Sequence, residues 1–166
     1  MRTLLSWAEF CFDILLSNFG LLRKPFRLFI VVTKKCQSRC LHCKIWMETP
    51  IDELTLADYD KLAKNSPWLK WLNITGGEPT DRDDLEQIVA TFRNHCKKLC
   101  VVNFTTNGLR PDRIEQAVRT IAALKIPKLI VNVSVDGPPE VNDLLRGIPG
   151  DFSLAVETLK RSREIP

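Results

Sequence analysis

The sequence has no long uncharged apolar run, no repeat at a fixed period and no low-complexity tract. Each absence removes a class of protein. A bilayer-spanning helix needs roughly 18 to 20 apolar residues. The longest uncharged stretch near the start, Ile14 to Leu22, is broken by Ser17, Asn18 and Gly20, so no transmembrane segment is expected. No small-residue cleavage site follows an apolar segment, so no cleaved leader is expected either. Without a repeat there is no solenoid. The net charge of +4 is too mild to imply a nucleic-acid partner. The six cysteines do not form a disulfide framework, because three fall close together and the others scatter. Clustered thiols without a leader point instead to a reducing, cytoplasmic compartment and to metal ligation.

What is present is ordinary globular composition, 45% hydrophobic and 27% charged, enough for one domain with a real core. Residues 1–24 read as an amphipathic helical segment, rich in Leu, Phe and Trp and interrupted by Glu9 and Asp13. Such a stripe packs on its own domain or lies on a membrane surface or a partner. From residue 25 onward apolar strands alternate with amphipathic helices. Strands are expected at Phe26 to Val32, Leu69 to Ile74, Leu99 to Phe104 and Leu129 to Val135. A helix follows the Thr55 and Asp58 capping signal and runs to about Asn65. Another carries Leu85, Ile88, Val89 and Phe92 on one face. A third starts at Pro111 and buries Ile114, Ala117, Val118, Ile121 and Ala122, and a last one presents Phe152, Ala155, Val156 and Leu159.

That order predicts an α/β fold with parallel strands buried on both faces. Right-handed crossovers place every strand's C-terminal end on one rim, where ligands bind in such folds. The four ends carry Thr33 leading to Cys36, then Thr75 to Pro79, then Thr105 to Gly108, then Ser134 to Gly137. Cys36, Cys40 and Cys43 form a CxxxCxxC loop able to wrap one metal centre. Closed structural sites want four protein ligands, and three thiolates leave a position open for an exogenous one. A structural zinc site completed by His42 or His95 is the competing reading.

The cysteine spacing, followed by Gly76-Gly77-Glu78-Pro79 and by Ser134-Val135-Asp136-Gly137, resembles the radical S-adenosylmethionine (SAM) superfamily. The resemblance runs from Pro25 onward, with His42 where the family usually has an aromatic residue. It implies a partial (β/α) TIM-like barrel, here with four of the usual six β/α units in residues 25–166. It implies a [4Fe-4S] cluster on Cys36, Cys40 and Cys43, and SAM held by His42, Gly76, Gly77, Glu78, Thr105, Asn107, Ser134, Asp136 and Arg146. In the family the Gly-Gly-Glu-Pro turn receives the methionine amino group, and the position of Arg146 pairs with its carboxylate. The implied reaction is reductive cleavage of SAM to a 5′-deoxyadenosyl radical that abstracts hydrogen from a substrate. The turn and the Arg146-Gly147 segment look most like the SPASM/twitch subgroup, which implies a peptide or protein substrate. A catalytically silent Fe–S or SAM-binding module is the alternative.

Several of these residues also have plainer readings. Gly76 and Gly77 serve as turn punctuation, Asn107 and Asp136 as Asx turns before a glycine, and Arg146 as a surface arginine. Between Asp13 and Glu48 there is no acidic residue, while Arg23, Lys24, Arg27, Lys34, Lys35, Arg39 and Lys44 are present. That collar suits an acidic electron donor of flavodoxin or ferredoxin type, or is a solvated basic face. Cys11, Cys96 and Cys100 read as structural.

Overall fold

The computed structural model describes residues 2–165, and side chains from residue 7 onward. Four parallel strands pair in chain order: β1 (Arg27–Val31), β2 (Trp71–Thr75), β3 (Val101–Thr106) and β4 (Lys128–Val133). Between and around them run α1 (Arg2–Asn18), α2 (Leu56–Lys64), α3 (Leu85–His95), α4 (Pro111–Ala122), α5 (Pro139–Arg146) and α6 (Asp151–Arg163).

The two faces of the sheet differ because side chains alternate along each strand. Leu72, Ile74, Val102 and Phe104 point to one face and are almost fully buried. Against them lie Tyr59 of α2, Leu85, Ile88, Val89 and Phe92 of α3, and Ile114, Val118 and Ile121 of α4. The Thr55 capping box and Pro111 at the first turn of α4 start two of these helices as expected. The opposite face is mixed: in-register Asn73 and Asn103 sit in its middle, with Thr75 and Thr105 nearer the rim. Its lower end is closed by α1, whose Phe10 meets Trp7, Phe26 and Trp71 edge-on at 5.7 to 6.0 Å and packs with Val101 and Ile130.

The strands begin or end up to two residues away from their predicted limits; β4, for instance, stops at Val133. Helix α5 was not foreseen at all. Its apolar residues Val141 and Leu144 are exposed, while polar Asn142 and Arg146 are its buried members. Hydrophobic periodicity is therefore silent about it. The readable signals were Pro139 at its first turn and Gly147 just past its end, where φ is +69°.

Phe10 is 6% exposed and anchors α1 through three aromatic neighbours. Truncation to alanine removes that anchor and leaves a cavity. Phe10→Ala is expected to cost about 3 kcal/mol, read as a lower urea midpoint with an unchanged slope.

Candidate functional site

The cysteine loop leaves β1 at its C-terminal end and is tied down on two sides. On the first side, Thr33 Oγ1 and the Lys34 amide both donate to Glu53 Oε1 at 2.8 Å. The amides of Gly77 and Glu78 donate to the carbonyls of Thr33 and Lys35, each at 2.7 Å. That approach explains the glycine pair. A Cβ on Gly77 would stand 2.0 Å from the Lys35 carbonyl oxygen, and one on Gly76 would stand 2.4 Å from that of Thr33. The space a side chain would need is filled by the loop's own backbone.

On the second side, the amides of Arg39 and Leu41, which flank Cys40, donate at 2.9 Å to the carbonyls of Arg146 and Leu145 at the end of α5. Gly147 is also sterically required there, since its Cβ would lie 2.7 Å from the Arg39 carbonyl oxygen. Within the loop, Arg39 Nη1 donates to the carbonyls of Cys36, Gln37 and Ser38 at 3.0 to 3.3 Å, and its guanidinium lies 5.0 Å from the Trp46 ring.

Held in this way, Cys36, Cys40 and Cys43 line one cavity of about 190 Å³ at the sheet's rim. The same cavity takes in His42, Gly76, Gly77, Thr105, Asn107, Ser134 and Arg146. Two of the residues named from sequence stand outside its lining. Glu78 is 1% exposed, and its carboxylate faces away into a polar nest. It accepts from Thr80 N and Oγ1, from Thr106 Oγ1 at 2.9 Å and from Asn107 N at 2.6 Å. Asp136 backs Arg146, with its Oδ2 2.9 Å from the arginine Nε. Asn142 joins this support: its Oδ1 accepts from the Asp136 amide and its Nδ2 donates to buried Asp151.

Four lining residues were missed: Ser38, Ile45, Thr75 and Thr106. Ser38 lies inside the cysteine motif, and the threonines end strands whose tips were already under scrutiny, so position alone could have found them. Ser38 and Arg146 are both buried in the cavity wall, the Ser38 side chain against the Cys36 thiol and Arg146 Nε against Asp136.

The thiols themselves bear on what the site can hold. Burial pushes Cys36 and Cys40 above the ordinary cysteine value, so both are neutral at physiological pH until a metal displaces their protons. Among the described residues, no three His, Cys, Asp or Glu side chains converge on one point as ligands of a single ion must. His95, the other zinc candidate, pairs instead with Asp60 at 2.8 Å. Cys96 is in the core, pushed up to about 11 by burial. Three thiols lining one cavity are the donor set that a cluster held by three cysteines requires.

Comparison with known proteins agrees. A profile described as "Radical SAM superfamily" matches residues 30–165. Fe-coproporphyrin III synthase of Methanosarcina barkeri is 33% identical over 140 residues, covering 80% of this chain and 33% of that protein. Mycofactocin maturase MftC of Mycobacterium ulcerans is 33% identical over 141 residues, covering 82% and 36% respectively. In fold, the chain resembles Streptococcus suis SuiB bound to S-adenosylmethionine, with a TM-score of 0.69 at 19% identity, over 90% of this chain and 34% of SuiB. The chain spans about a third of the length of these relatives.

Two outcomes test the tethering of the loop. Gly77→Ala forces the β2 turn and the loop apart, so its three loop thiols are expected to react with a disulfide reagent at least tenfold faster than wild type; an unchanged rate would contradict the contact. Glu53 concerns pH. Burial alone would raise its carboxyl, but hydrogen bonds from Lys34 and Thr33 and the charge of Arg82 outweigh it and hold the value below 4.5. A depressed native value stabilises the fold above the unfolded value and loses that contribution as pH falls through the native one. Wild type is therefore expected to lose stability on acidification below pH 4.5 more steeply than Glu53→Gln, measured by urea midpoints across that range.

Proposed function

The chain belongs to the radical SAM superfamily, and on that premise we propose that Cys36, Cys40 and Cys43 hold a [4Fe-4S] cluster whose fourth iron takes SAM. The cavity lined by all three thiols carries this reading. When bound, the pair supplies one-electron cleavage of the sulfonium S–C5′ bond and a 5′-deoxyadenosyl radical that takes a hydrogen atom from the substrate. The protein's share is to place these groups and keep water away.

Arg146, 7% exposed and in the cavity lining, is the group for the methionine carboxylate; guanidinium geometry suits a carboxylate. Asp136 holds it from behind, which makes Asp136 a positioning residue. The Gly76 and Gly77 backbone faces the ammonium end. We assign the Ser134 and Thr105 hydroxyls, with neighbouring Asn107, to the ribose and the exposed His42 ring to adenine; all four line the cavity. Glu78 acts at one remove, by fixing Thr106 and the Asn107 amide. Asn107 Nδ2, 3.9 Å from Cys36 Sγ, is placed to donate to a cluster thiolate.

The substrate proposed is a peptide or protein. SuiB in complex with precursor peptide SuiA resembles this chain in fold, and a maturase is among its relatives. The basic run from Arg23 to Lys44 supports docking of an acidic flavodoxin or ferredoxin. Three cysteines clustered within residues 36–43, as metal ligands are, support a reducing, cytoplasmic setting.

Anaerobic reconstitution with iron and sulfide, followed by dithionite and SAM, is expected to yield 5′-deoxyadenosine and methionine. Cys40→Ala should lose both the cluster absorbance and the cleavage. Cluster binding without any cleavage would overturn the enzymatic reading, and cleavage retained in Cys40→Ala would overturn the ligand assignment.

A further inference from the structure

Helix α1 is inverted with respect to an ordinary surface helix. Its two carboxylates turn inward: Asp13 Oδ2 lies 2.5 Å from the Nζ of buried Lys70, and Glu9 Oε2 lies 2.7 Å from that of Lys98. Lys70 also donates to the Glu9 carbonyl at 3.1 Å. From Ala8 onward Ala8, Cys11, Phe12 and Leu15 form an exposed stripe at helical spacing; Ile14, Ser17 and Asn18 are exposed as well, Phe19 follows just past the helix end, and none of these is charged. Phe12 is 58% exposed, Leu15 52% and Phe19 69%. A helix whose two carboxylates are both paired with lysines of the domain and whose Phe12 and Leu15 stand exposed leaves an apolar face uncovered.

The chain then turns back at Gly20, where φ is +67°, and the stripe continues into Leu21, 64% exposed. Beside it opens a cleft of about 650 Å³, walled by Leu16, Leu22, Phe26 and Trp68 and rimmed by Arg23 and Lys24. Lys24 lies 4.1 Å from the Trp68 ring, and both cations at the rim are exposed. No acidic residue follows for the whole stretch from Ile14 to Met47. Asp13 also lines this cleft but is already paired with Lys70, which leaves Arg23 and Lys24 as its exposed charges. An apolar stripe, a half-buried tryptophan and exposed cations beside them are the recognition elements of an anionic lipid surface: acyl chains meet the phenylalanines and phosphates meet the cations. None of the described helices is long and apolar enough to cross a membrane, so the contact is one of lying on the surface.

We propose that α1 and the Leu21–Lys24 turn dock the protein on an anionic phospholipid bilayer, with Phe12, Leu15 and Phe19 inserted at the headgroup boundary and Arg23 and Lys24 on the phosphates.

The test is sedimentation of the full chain with sucrose-loaded vesicles of phosphatidylcholine alone or mixed with phosphatidylglycerol. Partitioning onto the phosphatidylglycerol vesicles is expected to exceed that onto phosphatidylcholine by roughly tenfold or more and to fall with salt. Phe12→Ser with Leu15→Ser and Phe19→Ser replaces only exposed side chains and should abolish binding while the far-ultraviolet circular dichroism stays unchanged. Arg23→Gln with Lys24→Gln should reduce the preference for phosphatidylglycerol towards that for phosphatidylcholine. Protein left in the supernatant with phosphatidylglycerol, or a triple-serine variant that binds like wild type, would overturn the proposal. So would a dimer in light scattering that the triple-serine variant dissociates, because a second copy would then cover the stripe. The readout involves neither cluster nor SAM, so its failure leaves the proposed reaction standing, and the reverse.

Discussion

Three thiols can serve one centre only if the loop between them is held by something other than itself. Residues 36–43 form no helix or strand. Their shape comes from two backbone contacts with distant parts of the chain, the Gly77–Glu78 amides on one side and the Leu145–Arg146 carbonyls on the other. Nearly everything else at the rim serves those contacts. Glycines stand where a Cβ would collide with the loop, and Glu53 grips the loop where it leaves β1. Glu78 and the Asn142–Asp151 pair, buried and polar, fix the two supporting turns from behind. Buried polar groups are costly unless paired, and the bonds that Glu78 and Asn142 make are what set the position of the site.

Much of this was legible in the sequence because period and punctuation carry it. The helix-facing residues of the four strands, and the stripes of α3 and α4, announced a parallel α/β sheet through spacing alone. The strand-end rule then brought cysteines, glycines and hydroxyls from four separate places to one rim. The cavity gathers ten of the twelve residues named in advance. What escaped were roles that depend on direction and not on position. Glu78 is at the right turn, yet its carboxylate looks inward, because four donors from Thr80, Thr106 and Asn107 converge on it from that side. The glycines read as room for a ligand and prove to be room for the cysteine loop. Helix α5 was invisible because its buried residues are polar, and no hydropathy argument finds a helix that packs through Asn142 and Arg146.

The N-terminal helix illustrates the converse. Its sequence is amphipathic only weakly, with apolar residues on both sides, and composition could not say which side meets the core. The fold shows which: Phe10 enters the aromatic cluster, Asp13 pairs with buried Lys70 on the same side, and Phe12, Leu15 and Phe19 are left outside. Packing of one aromatic sets the orientation, and the ion pair to Lys70 agrees with it.

The clamp on the cysteine loop joins residues far apart along the chain, Arg39 to Arg146 and Leu41 to Leu145. During synthesis the loop emerges early, while its second support is made only after α5 has been translated. Contacts of such long sequence separation form late, after loop-closure entropy has been overcome. Until α5 has been translated the nascent chain therefore carries its three thiols on a segment anchored on one side at most. A centre built on these thiols waits for that second support, so its loading is timed by the synthesis of α5 and not by the appearance of the cysteines.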